Sequence, residues 1–208
     1  METIEQKTGL RKYIDPSYAA KGMGYEEYRR LIDALIMVGR STAVNESESL
    51  LGYSKLNAVR MKRLDKTVEI IPELRELVQM ISAPQTWLVI TEGWCGDAAQ
   101  IVPVLNKIAE LNDKITLKFS LRDDNLELMD QYLTNGRSRS IPKLVVLDEN
   151  NEELFNFGPR PAVLQEMFYH LKANAMSNDA VKEEIHKWYA MDKTVSIQKD
   201  LLAWLKDL

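Results

Sequence analysis

The chain has 208 residues, 31 acidic against 27 basic side chains for a formal net charge of −4, 45% apolar and 28% charged residues, and a single cysteine, Cys95. A chain of this length buries roughly 70% of the surface it exposes when unfolded, so its core needs no covalent staple. One thiol excludes an intramolecular disulfide or a multi-cysteine zinc or iron–sulfur site within one chain, and the mild acidity argues against broad binding to nucleic acid or anionic membranes.

Met1–Thr8 carries no apolar run, and the strongest such runs, Trp87–Ile90 and Leu144–Leu147, are too short to span a bilayer. A cytoplasmic location without membrane contact is the expectation. Tyr25, Tyr28, Leu31, Ile32, Leu35 and Ile36 recur at helical spacing before Gly39 and predict an amphipathic helix over 25–38. Ser47 and Ser49 are cap residues for a second helix over 47–66, and a third follows Pro72 and stops before Pro84. Trp87-Leu-Val-Ile then reads as a strand buried on both faces, leading through Thr91-Glu-Gly into a helix over 95–111.

Lys114–Leu121 alternates with period two, as a strand does. Asp124 and Glu127 have capping-box spacing and predict a helix closing at Asn135-Gly136. A second buried strand is expected over 143–147, a turn at Asp148-Glu-Asn-Asn, and an antiparallel partner over 152–157. Pro161 can start a helix to about 173, and two more helices are read over 179–190 and 195–208. The alternation predicts an α/β chain with a central mixed sheet flanked by helices.

Cys95 falls where a strand ends and a helix begins. Orphan N–H groups and the helix dipole at such a point stabilise a thiolate, whereas a buried structural cysteine more often lies inside an element. On position alone a reactive and an inert thiol are equally good readings. Asp97, in the first turn, suits the dipole but its charge disfavours the thiolate, so its two effects oppose each other; a plain helix-stabilising acid is its simplest role. His170 and His186 lie too far apart for local metal-ligand spacing, and Gly22-Met-Gly24 lacks the strand and third glycine of a phosphate loop. Trp188, Tyr189 and Trp204 read as packing anchors, and Lys55, Arg60, Lys62, Arg63 and Lys66 as a solvated helix face rather than a nucleic-acid site.

Trp94-Cys95-Gly96-Asp97-Ala98 after an apolar strand, Pro103 further along the helix, and Ser140-Ile141-Pro142 before a later strand and hairpin together resemble the thioredoxin superfamily over roughly 70–171. The resemblance implies a thioredoxin-like fold, a nucleophilic Cys95, and a cis Pro142 standing beside it. It makes Trp94, Gly96, Asp97, Ser140, Ile141 and Pro142 the substrate-contact candidates, the segment before the proline offering main-chain groups to an extended peptide. Gly96 would let the partner's backbone approach. Arg137, Arg139 and Lys143 bracket the proline, and either contact the carboxylates of a small thiol or acidic partner or are solvated loop charges.

Two departures shape the functional expectation. The resolving cysteine of the family motif is Ala98 here, and the family's buried acid, six positions before the first cysteine, is Val89. One reading is single-cysteine thiol–disulfide exchange, similar in logic to monothiol glutaredoxins although their Cys-Gly-Phe-Ser is absent. Its partners would be a disulfide-containing or sulfenylated protein or a small thiol, with no cofactor beyond an external low-molecular-weight thiol. The other reading is a thioredoxin-fold interaction module without turnover. The resemblance implies three parts, an N-terminal helical extension over 1–69, a thioredoxin-like domain over 70–171 and a C-terminal helical extension over 172–208, and the terminal helices leave the oligomeric state open.

Overall fold

Tyr25, Tyr28 and Ile32 are the buried positions of the first amphipathic stretch, and their spacing winds it into a helix that closes on the left-handed Gly39. In the computed structural model, which describes residues 11–208, this is α2 (Tyr25–Met37), preceded by the single turn α1 (Ser17–Ala20). The Met1–Thr8 segment lies outside the described residues. α3 (Glu48–Thr67) is capped by Ser47, whose Oγ accepts the Leu50 N–H at 3.2 Å. Ser47→Ala removes that acceptor and is expected to lower stability by about 1 kcal/mol in urea unfolding. α4 (Pro72–Gln79) starts on its proline.

The sheet order is β2-β1-β3-β4, with β1 (Gln85–Thr91) parallel to β2 (Ile115–Leu121), antiparallel to β3 (Lys143–Leu147), and β3 antiparallel to β4 (Glu153–Phe157). Trp87, Leu88, Val89 and Ile90 are all fully buried, so both faces of β1 are covered, as its unbroken apolar run requires. α5 (Gly96–Ala109) lies between β1 and β2 in the chain and carries Pro103 in its interior. The N-terminal segment closes both sheet edges. Met23 exchanges backbone bonds with Phe119 on β2, and the Glu153 N–H at the start of β4 donates to Lys12 O.

The expected helix from Asp124 to Asn135 does not form. Its place is taken by one turn, α6 (Leu126–Met129), and a 3₁₀ turn over Asp130–Tyr132. Asn125 rather than Asp124 stands at the cap position, and its side-chain amide is turned back to Leu121 O at 2.8 Å, so no side chain caps the new turn. After Tyr132 the chain extends at Leu133 toward β3. The last three helices are α7 (Ala162–Ala173), α8 (Asn178–Asp192) and α9 (Val195–Lys206). α9 is fixed to the N-terminal side: Gln198 accepts the Ile71 N–H at 2.8 Å and donates to Glu69 O at 3.0 Å. Among the described residues, no helix is long and apolar enough to cross a membrane.

Candidate functional site

Cys95 is the N-cap of α5. Its Sγ accepts the Ala98 N–H at 3.5 Å, and its thiol donates to Ile141 O at 3.2 Å. The Ile141-Pro142 bond is cis, which turns that carbonyl toward the helix start. The structure thus brings Cys95, Ile141 and Pro142 together, with Trp94, Gly96 and Asp97 beside the thiol by chain adjacency. Ser140 is not engaged there; its hydroxyl pairs with Ser138 at 2.7 Å.

The thiol is covered, with Cys95 only 8% exposed. Burial pushes its pKa up to about 12, the negative Asp97 adds to the rise, and the Ala98 and Asp97 N–H groups and the Arg160 charge oppose it only in part. Burial outweighs the stabilisation that the helix terminus offers a thiolate, so of the two readings that position leaves open it favours the less reactive thiol.

Asp97 is more than a helix-stabilising acid. It is buried, its Oδ2 accepts from Arg160 Nη2 at 2.7 Å, and its Oδ1 accepts from the Tyr189 hydroxyl at 3.0 Å. Burial raises the Asp97 pKa, and Arg160 and Tyr189 pull it back. Tyr189 is therefore a polar partner of the site as well as a packing residue. Its neighbour one turn back, His186, lies over Gly96: a Cβ on that glycine would come within 2.7 Å of His186 Nε2. Gly96 does admit a close approach, but the group that approaches is this chain's own α8. Burial and the charges of Arg60 and Arg160 lower the His186 pKa to about 4, so the imidazole is neutral.

Two basic residues stand at the site: Arg160, from the turn between β4 and α7, and Arg60 on α3. Arg60 is turned inward from the solvated face that its sequence neighbours suggest, its Nη1 3.8 Å from where a Cβ on Gly96 would be. Arg139 pairs instead with Asp130 at 2.6 and 2.8 Å, and Lys143 is buried and donates to Gly158 O at 2.8 Å. Arg122 stacks over the Trp94 ring at 4.8 Å. Three buried polar atoms around the thiol, Trp94 Nε1, Arg160 Nε and His186 Nδ1, have no hydrogen-bond partner. A cavity of about 470 Å³ lies beyond Arg160, between Tyr132, Phe157, Tyr169 and Trp204, and Cys95 does not line it.

Val89 is buried in β1 and carries no acid, but an acid is buried close by. Glu92 has no exposed surface; its carboxyl accepts from the Thr42 hydroxyl and, at 3.0 Å, from the Asp123 N–H. Thr42 Oγ1 also accepts the Gly93 N–H at 3.0 Å, so the segment before α3 clamps the turn that leads to the thiol. Burial pushes the Glu92 pKa up to about 7, Asp123 adding to the rise against the two hydrogen bonds. Neither of those bonds goes to Cys95.

The residues that sequence reasoning missed are Glu92, Arg160, His186 and Tyr189. Only the i, i+3 spacing of His186 and Tyr189 on one helix face was a local signal. Among the described residues, no three of His, Cys, Asp and Glu gather as a metal-binding group.

No curated protein matches the chain. Among solved structures, an HIV epitope-scaffold is similar at 19% identity and TM-score 0.58, covering 92% of this chain and 97% of its own. A protein of unknown function from Pseudomonas aeruginosa is 22% identical over 81% of this chain and 96% of its own, with TM-score 0.48. A domain of the alkylhydroperoxide reductase AhpF from Enterococcus faecalis is 20% identical over 46% of each chain, with TM-score 0.36. The thioredoxin family model matches residues 43–176, well over half of the chain, across the strand, helix start and cis-proline turn that hold Cys95; the chain belongs to the thioredoxin family.

Proposed function

We propose that the protein carries out thiol–disulfide exchange through Cys95 alone, with an external thiol completing each cycle. The observation that carries this reading is the seat of the thiol, at a helix N-cap and 3.2 Å from the carbonyl of a cis X–Pro step. Both contacts support the reading, because an extended chain that paired with the Ile141 segment would bring its disulfide to Cys95. Cys95 loses its proton, and the thiolate attacks one sulfur of a substrate disulfide. A Cys95–substrate bond forms as the substrate's S–S bond breaks, and the departing thiolate takes up a proton. An external low-molecular-weight thiol then attacks the substrate-side sulfur of the mixed disulfide and releases Cys95 with its electrons unchanged. The net reaction exchanges one thiol for another, so no cofactor is needed.

The raised pKa favours a second reading, a binding module in which the thiol is structural. With a pKa of about 12, only about 10⁻⁵ of the molecules carry a thiolate at pH 7, against a few per cent for a free cysteine. Exchange therefore requires Cys95 to be uncovered. Incubating the reduced protein with oxidised glutathione and following intact mass separates the two. A single adduct on Cys95, reversed by added thiol, is expected under exchange; an unchanged mass after many hours overturns it. The folded protein's thiolate absorbance is expected to rise only above about pH 10 in either case.

A further inference from the structure

We propose that α8 is a hinged cover over Cys95, seated on the Gly96–Asp97 turn by His186 and Tyr189, and lifted as one piece when a substrate chain takes its place. The inference gives the exchange reading its gating step, but its test does not depend on exchange.

α8 occupies the surface that a substrate needs. The His186 imidazole fills the space above Gly96, and the Tyr189 hydroxyl takes Asp97 Oδ1 at 3.0 Å. The fit is incomplete: Arg160 Nε and His186 Nδ1, on two of the side chains that meet the Gly96–Asp97 turn, are buried without partners. Buried polar groups in that state oppose the closed arrangement and gain partners when it opens.

Of α8's residues Val181, Ile185 and Tyr189 are buried and Trp188 is partly buried against the core, while Lys187 pairs with Glu183 and Glu184 on the outer side. Its other polar links to the rest of the chain are made at its outer side and its ends: Lys182 Nζ donates to the Tyr53 hydroxyl on α3 at 2.8 Å, Lys172 donates to Asn178, and the Asp192 carboxylate accepts from the Ser196 N–H at 3.1 Å. Its neighbour α9 is fixed differently, with Ile197, Gln198, Leu201 and Leu205 buried and Gln198 bonded to the α4 entry.

Both ends of α8 are joined through left-handed backbone at residues with side chains: Ala175 before it (φ 55°), and Lys193 and Thr194 after it (φ 50° and 70°). A β-branched residue is an uncommon choice for that conformation, and strained junctions of this kind recur where an element changes position. α9 can therefore stay docked while α8 turns about its two ends.

Iodoacetamide modification of Cys95 in the full-length protein, followed by intact mass across low urea, tests the cover. Under the proposal the modification is slow, nearly independent of low urea, and at least ten-fold faster in Tyr189→Phe. Lys182→Ala should speed it a few-fold, and Asn112→Ala, which removes the bonds to Val78 O and Ile81 O at the end of α5 far from Cys95, should leave it unchanged. The proposal is overturned if the rate rises steeply with urea and Asn112→Ala accelerates it as Tyr189→Phe does, because exposure then needs global unfolding. Modification of the wild type at the speed of a free thiol, unmoved by Tyr189→Phe, overturns it as well. A cover that lifts in this assay with no glutathione adduct in the other would leave α8 as proposed and remove the exchange reading.

Discussion

Arg160→Met is expected to lower folding stability at pH 7 by about 3–5 kcal/mol in urea unfolding, the cost of leaving a buried charge without its partner. The Asp97 and Arg160 side chains are only 10% and 14% exposed, and their 2.7 Å contact places both charges away from water. The guanidinium also rests over Phe168 at 4.3 Å and donates to Gln165 at 3.2 Å, so packing is lost with the charge. Without Arg160, Asp97 keeps only the Tyr189 hydroxyl against a burial that already raises its pKa. Protonation then relieves it, so the penalty in Arg160→Met shrinks as pH falls.

Asp97→Asn strands the other partner, and because a guanidinium cannot lose its proton, that penalty persists at low pH. Combining Arg160→Met with Asp97→Leu removes both charges and should recover most of the loss, which a double-mutant cycle measures as coupling. The thiol reports on the same pair. Asp97 raises the Cys95 pKa and Arg160 lowers it, so Asp97→Asn should bring thiolate absorbance to lower pH than in the wild type and Arg160→Met should delay it.

The parts of this site that were legible in the sequence are those with local rules. A strand reads from the apolar run Trp87–Ile90, a helix start from the residues around Cys95, and a cis proline from a resemblance carried by Ile141-Pro142. The polar contacts that surround the thiol have no such rule. Tyr189 and Asp97 are 92 positions apart, and Thr42 and Glu92 are 50 apart. Whether a carboxylate such as Asp97 meets solvent or a guanidinium depends on how the α7 entry and α8 fold over α5, and no spacing encodes that. Local rules also fail where they compete. Asp124 and Glu127 have the right interval for a capping box, but Asn125 spends its amide on Leu121 O and the chain must extend at Leu133 to reach the cis-proline turn, leaving room for one helical turn.

Glu92 is expected to make stability fall as pH rises through the neutral range, opposite to the usual acid behaviour. An ordinary glutamate titrates near 4.5, and in the folded protein burial pushes Glu92 up to about 7. Between those values the folded state holds the proton and the unfolded state has lost it, so raising the pH favours unfolding. The stabilisation is complete below about pH 4.5 and lost above about pH 7; a gap of this size corresponds to about 3 kcal/mol at 1.36 kcal/mol per unit. Other carboxylates act in the opposite direction at lower pH, so the comparison to make is with Glu92→Gln. Glutamine can still accept from the Asp123 N–H and can donate to the Thr42 hydroxyl, while carrying no charge. Relative to the wild type, Glu92→Gln should gain about 3 kcal/mol between pH 4.5 and pH 8 in urea unfolding. A flat difference across that range would mean that the Glu92 carboxyl is ionised throughout, held by Thr42 and the Asp123 N–H more strongly than burial opposes it. The charge that Glu92 acquires near pH 7 sits beneath Gly93, whose N–H shares Thr42 and whose carbonyl accepts from Asn57 at 3.1 Å. Loosening that clamp in alkali would free the turn ahead of Cys95, so the alkylation rate of Cys95 should climb between pH 6 and pH 8 more steeply in the wild type than in Glu92→Gln.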